Sequence, residues 1–138
     1  ELFHHESAWR DGRLKQFVTA SFLRLRQQHS ALFHYGDWVP LKVAGERADN
    51  FIAYARIKDE EALIVVVPRL VFDVAAHGLV ESSAQLWGET AVSLPEDLAG
   101  RRYCDALTGE SRLVEETLDL ASATGWLLTL ISEKERGE

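Results

Sequence analysis

Between Gly12 and about Gln28 the apolar positions return every third or fourth residue: Leu14, Phe17, Val18, Phe22 and Leu25 share one stripe, with Ser21 among them. That spacing predicts a helix with one buried face. Asp11 stands before it as an N-cap, able to accept from the orphan N–H groups of the first turn. Leu23 falls roughly opposite the stripe, beside the small Thr19 and Ala20, which suits a helix wedged between two bodies. Ser30 is placed to cap a further short turn over 30–35, and Gly36 to supply its left-handed exit.

After Gly36 the period changes to two. Phe51, Ala53, Ala55 and Ile57 alternate with Ile52, Tyr54, Arg56 and Lys58, and Tyr54 and Arg56 suit the wetter side of a strand. An acidic loop leads to the unbroken run from Ala62 to Val67, the pattern of a central strand covered on both faces. Residues 50–68 therefore predict a hairpin, and Pro68 ends it because it has no N–H for a ladder. Further strands are expected at 38–43, 90–94, 102–107, 112–116 and 125–132, with a tight turn over 107–111. Residues 70–85 read as irregular, with at most one helical turn. The expected fold class is mainly β, an antiparallel β-sandwich over 37–138 preceded by an N-terminal helical segment over 1–36.

Charge and composition narrow the function. The 138 residues carry a net charge of −7 and no basic cluster interleaved with aromatics, which argues against a nucleic-acid partner. The longest apolar run is far short of the roughly 20 residues that a spanning helix needs. No basic-then-apolar leader opens the chain, so a membrane partner is not expected. One cysteine, Cys104, permits no internal disulfide and leans toward a reducing compartment, with the cytoplasm as the expected location. The chain contains no methionine, and its first nine residues read as the tail of a helix. Residues 1–42 hold six Lys/Arg against four Asp/Glu, and residues 43–138 hold nine against eighteen. These features fit an excerpt from a longer chain with a seam inside it.

Chemistry-bearing residues are present without a catalytic pattern. His4, His5 and Glu6 are neighbours, and neighbours on a helix point about 100° apart, so they do not converge on a metal. His29, His34 and His77 lack a carboxylate or cysteine at ligand spacing and read as solvated or capping groups. Cys104 sits in a strand pattern and reads as a buried, inert thiol. The acid pairs Glu60–Glu61 and Glu115–Glu116 read as solvated. No glycine-rich loop follows a strand, and no cofactor or metal is expected. Trp9, Trp38, Trp87 and Trp126 are enough for a carbohydrate platform, although tryptophan in a small sandwich more often belongs to the core or a seam.

A family resemblance joins these parts. The passage 23–41 resembles the place where α-amylase superfamily enzymes pass from their last barrel helix into a C-terminal β-domain. The closer likeness is to the maltooligosyl trehalose synthase family. It is carried by Trp9, the run Asp11-Gly12-Arg13-Leu14-Lys15, Leu23-Arg24-Leu25-Arg26, Leu32-Phe33, Gly36-Asp37-Trp38, Pro40-Leu41 and Ala55-Arg56. Val65 to Leu70, Trp87-Gly88-Glu89-Thr90, Leu94-Pro95, Asp105 and Leu107-Thr108-Gly109 continue it. Residues 81–85 and the ending 123–132 depart from the family pattern.

The resemblance implies that residues 1–36 close a (β/α)8 barrel, with Leu14 to Leu25 facing the barrel and Leu23, Leu32 and Phe33 meeting the β-domain, and that the partner of this chain is that catalytic barrel, acting on maltooligosaccharides. The family converts a reducing-end α-1,4 bond to an α,α-1,1 bond, retaining chemistry that needs two carboxyl groups held at barrel strand ends. No catalytic residue is expected within these 138 positions. The start of the last barrel helix would lie near the catalytic face, which makes Arg13 and Lys15 the candidate substrate-binding residues. Cations at a helix start oppose the dipole, which calls for a reason. Bonds to substrate hydroxyls or site-shaping carboxylates are one, and ordinary salt bridges to neighbouring loops are the other.

Overall fold

The computed structural model describes residues 6–70, 87–122 and 128–134. Three helices come first: α1 (Glu6–Arg10), α2 (Arg13–Gln28) and α3 (Ser30–Tyr35). Nine strands follow: β1 (Asp37–Pro40), β2 (Lys42–Ala44), β3 (Phe51–Lys58), β4 (Glu61–Pro68), β5 (Ala91–Ser93), β6 (Arg101–Asp105), β7 (Ser111–Val114), β8 (Thr117–Asp119) and β9 (Leu128–Ser132). They form a six-stranded sheet, ordered β1-β3-β4-β9-β6-β7, and a three-stranded sheet, ordered β2-β5-β8. All the pairings are antiparallel. The expected sandwich behind a helical segment is the observed architecture.

The inner layer follows from the alternation along the strands. Phe51, Ala53 and Ala55 of β3, Ala62, Ile64 and Val66 of β4, and Leu128 and Leu130 of β9 pack against Val92 of β5 and Leu118 of β8. Trp87 is 2% exposed and meets Phe51 edge-on, ring centroids 4.4 Å apart, so this tryptophan is core as its sequence context suggests. Asp105 is buried without strain on the accounting, because its Oδ1 accepts from the N–H groups of Leu107 (2.8 Å) and Thr108 (3.1 Å) and so shapes the turn expected over 107–111.

The expected hairpin is present with its full register, from Phe51 opposite Pro68 to Lys58 opposite Glu61. Strand β4 is covered on both sides, as its apolar run predicts. Its other face carries Leu63, which joins Leu25, Leu32 and Ile131 in a second cluster, with Phe33, Val65 and Cys104 around it. The helices thus lie on the outer face of the large sheet.

Several expectations are corrected. The strand expected over 38–43 is two strands in different sheets, with buried Leu41 as the corner between β1 and β2. A two-residue period is blind to which sheet a strand joins. Strand β8 carries only three residues and escaped the pattern for that reason. Gly36 is extended, with φ −69° and ψ 146°, rather than left-handed. Its need for glycine is one of space: a Cβ there would collide with the Leu32 carbonyl and come within 3.2 Å of the Ile57 carbonyl. Ser30 makes no capping bond, and His29 occupies the N-cap position of α3.

The two faces of α2 are also reassigned. Leu25 meets the sheet, whereas Leu23 is 62% exposed and does not. The helix bends into α3 at His29, which turns the Leu25 side onto the sandwich.

His4, His5, His77, Trp126, the irregular reading of 70–85 beyond residue 70, and the first residues of the strand expected at 125–132 lie outside the described residues.

Candidate functional site

The α1–α2 junction is built by Asp11 and Gly12. Gly12 takes the left-handed conformation, φ 81°, and occupies the N-cap position in place of Asp11. Asp11 nevertheless serves the helix start: its Oδ1 accepts from the Arg13 N–H at 3.0 Å, and its Oδ2 accepts from Arg13 Nε at 2.6 Å. The backbone bond from Arg13 is the main reason that the Asp11 carboxyl is held below its ordinary range, and the guanidinium adds to it.

The guanidinium also reaches back to Ser7 Oγ through Nη2, at 3.3 Å. Arg13 therefore offsets its unfavourable position in the first turn with the carboxylate of Asp11, two residues before it. Lys15 lies one turn position further on and is exposed. Among the described residues its ammonium has no ion pair, while its carbonyl accepts from Thr19 Oγ1 at 2.8 Å. Both candidates are on the same exposed helix start.

Three contacts that spacing alone does not reveal join separate elements, two of them where helices meet sheet. His29 Nδ1 sits 3.1 Å from Glu61 Oε1, both side chains largely covered, so neither group is simply solvated. Arg56 Nη2 donates to the Phe33 carbonyl at 2.9 Å and fastens α3 to β3. A recess of about 440 Å³ beside them is lined by Ala31, Lys58, Asp59, Glu60, Glu61 and Lys134. The third contact is aromatic: Trp38 of β1 and Tyr54 of β3 stand with centroids 5.9 Å apart and planes inclined by 32°. Trp38 is 58% exposed and so is not part of the core. The signal for this pair was the alternation along β3, which puts Tyr54 on the outer side. The register of β1 was the missing part.

Cys104 faces the helix side of the sheet, and burial pushes its thiol up from its ordinary range, with Glu133 and Asp105 adding to the effect. Among the described residues no three histidine, cysteine or carboxylate groups gather to hold a metal ion. Among them, too, no helix is long and apolar enough to cross a membrane.

No family model matches the chain, and no curated protein matches it. Solved structures do. The maltooligosyltrehalose synthase from Arthrobacter ramosus superposes on 88% of this chain at 26% identity, with a TM-score of 0.63. This chain is similar to maltooligosyltrehalose synthases. A mutant of the same synthase gives 25% identity and a TM-score of 0.65, again over 88% of the chain. The chain spans 14% of the length of either synthase structure. An Anoxybacillus α-amylase shares the fold at 16% identity, over 91% of this chain and 24% of its own, with a TM-score of 0.51. The synthase-like order of motifs in the sequence and the likeness of the folds therefore agree, and the chain has the fold of part of an amylase-type enzyme.

Proposed function

We propose that this chain is the C-terminal portion of a maltooligosyl trehalose synthase, which rearranges the reducing-end α-1,4 bond of a maltooligosaccharide into an α,α-1,1 bond. The observation that supports it best is the match of 88% of this chain to a 14% share of the synthase. In this reading the portion is a scaffold. The catalytic carboxyl pair belongs to a (β/α)8 barrel outside these 138 residues, and the sandwich supports that barrel. Helix α2 is the joint. Its end is anchored in the sandwich by Leu25, while Phe17, Val18 and Phe22 remain only half-buried, a stripe suited to a second body. Arg13 and Lys15 then stand at the barrel's catalytic end, where Lys15 is the better placed to reach substrate because Arg13 is engaged with Asp11.

No cofactor enters this chemistry, which exchanges one glycosidic bond for another between two carboxyl groups. The lone cysteine supports a reducing, cytoplasmic setting. The test is to read the gene upstream of Glu1, express the whole reading frame and incubate it with maltopentaose. The expected result is loss of reducing ends without release of glucose or shorter maltooligosaccharides. Release of new reducing ends would instead assign the parent to the hydrolases, and an upstream region without barrel strands would overturn the reading.

A further inference from the structure

We infer that Trp38 and Tyr54 form a binding platform for an α-1,4-linked glucan chain on the outer face of the six-stranded sheet. The choice of an α-glucan rests on the proposed function above, and the platform itself rests on geometry. Trp38 pairs in register with Arg56, and Tyr54 with Pro40, so the two rings are diagonal neighbours on one face of β1 and β3. The helices cover the centre of that face through Leu25 and Leu32 but leave this corner open. Trp38 is mostly exposed and Tyr54 half-exposed, with their ring centroids 5.9 Å apart. Apolar C–H faces of pyranose rings stack on such surfaces, and their hydroxyls need donors and acceptors beside them. Arg56, whose Nη2 donates to the Phe33 carbonyl, lies directly across from Trp38, and Lys58 follows along the same face.

Other occupants fit less well. A stable protein interface takes about 800 Å² from each partner. Two aromatic rings offer about 150–250 Å² apiece even when wholly covered, and Tyr54 is already half-buried. An added β-strand is blocked because Pro40 has no N–H on the short edge strand β1. A polyanion is opposed by the net charge of −7. A neutral, hydroxyl-rich ligand meets none of these objections. Successive sugars of an α-1,4 chain turn relative to one another, which suits planes inclined by 32°; the flat ribbon of a β-1,4 chain suits coplanar rings.

The experiment uses the 138-residue chain labelled with 5-fluorotryptophan, titrated with maltoheptaose and, separately, cellohexaose, and followed by fluorine NMR. The Trp38 resonance is assigned by its absence in Trp38→Phe. The expected result is a saturable shift of that resonance by maltoheptaose at about millimolar concentration. Binding should weaken about tenfold in Trp38→Ala and in Tyr54→Ala, the size of effect that a single stacked ring has in strand-binding proteins. Trp38→Phe should keep most of the affinity. No saturable shift, or binding unchanged in the alanine variants, overturns the platform. Equal or tighter binding of cellohexaose overturns the choice of an α-glucan. The Trp38 resonance in the unsubstituted chain gives an answer even if a variant fails to fold, and none of these outcomes depends on whether a barrel lies upstream.

Discussion

His29 Nδ1 lies 3.1 Å from Glu61 Oε1, and the contact ties the break between α2 and α3 to the first residue of β4. Thirty-two positions separate the two residues in the chain. Since His29 is where the helix changes direction, the bond helps to set the angle at which α2 leaves the sandwich. A double-mutant cycle on His29→Ala and Glu61→Ala should give a coupling of about 0.5–1.5 kcal/mol in urea denaturation at neutral pH. A coupling indistinguishable from zero would show that the bond contributes nothing to docking.

The reassignment of the α2 faces can be checked by two leucines. Leu25→Ala should cost about 2–4 kcal/mol, because it opens a cavity against Leu32, Leu63 and Ile131. Leu23→Ala should fall within about 0.5 kcal/mol of the parent chain, as an exposed position does. Reversal of the two values in thermal denaturation would restore the opposite orientation of the helix.

Tyr103 supplies a pH prediction. Its hydroxyl donates to the Leu98 carbonyl at 2.8 Å, and burial pushes its pKa up to about 12, with Arg101 pulling weakly the other way. The unfolded chain releases this proton near pH 10 while the folded chain keeps it, so the unfolded state is favoured as pH rises. This group's contribution is complete below pH 10 and is lost between pH 10 and about 12. Tyr103→Phe should remove that part of the alkaline slope and cost about 1 kcal/mol at neutral pH through the unpaired Leu98 carbonyl. An unchanged slope of urea midpoint against pH would exclude Tyr103 as its source.

Activity is predicted to be absent from this chain by itself. Incubation with maltopentaose should give no product above a boiled control, and any turnover would mean that a catalytic pair exists among these residues. In the whole reading frame, Arg13→Ala should lower thermal stability with little change in turnover per folded molecule, since Arg13 is engaged with Asp11 and Ser7. Lys15→Ala should instead lower turnover at unchanged stability. The opposite pattern would exchange the scaffold and substrate roles between them.

Much of this architecture was legible because burial follows period. The alternation from Phe51 to Lys58 and the unbroken run of β4 correctly give the hairpin, its register sense and the double coverage of β4. Sheet membership was not legible. Leu41 is one apolar residue in an extended stretch, and only three-dimensional packing decides that the chain turns a corner there. Gly36 reads in sequence as a left-handed exit, whereas the position needs glycine for space, since sequence shows the absent side chain but not the carbonyl that fills its place. The site was less legible than the fold. Arg13 offers no sequence sign that its charge turns back on Asp11, and contacts such as His29–Glu61 and Trp38–Tyr54 join residues whose proximity is created by the register of strands.

The position of β9 has a consequence for synthesis on the ribosome. Among the described strands it is the last to emerge, yet it lies in the middle of the large sheet, between β4 and β6. Until it arrives, β1-β3-β4 and β6-β7 are two separate ribbons, each showing an open inner edge to solvent or to a neighbouring nascent chain. The sheet therefore cannot zip up in the order in which it is made. It closes in one late, long-range step, and the waiting interval between translation of β4 and of β9 is when this polypeptide is most exposed to mispairing and most dependent on holding chaperones.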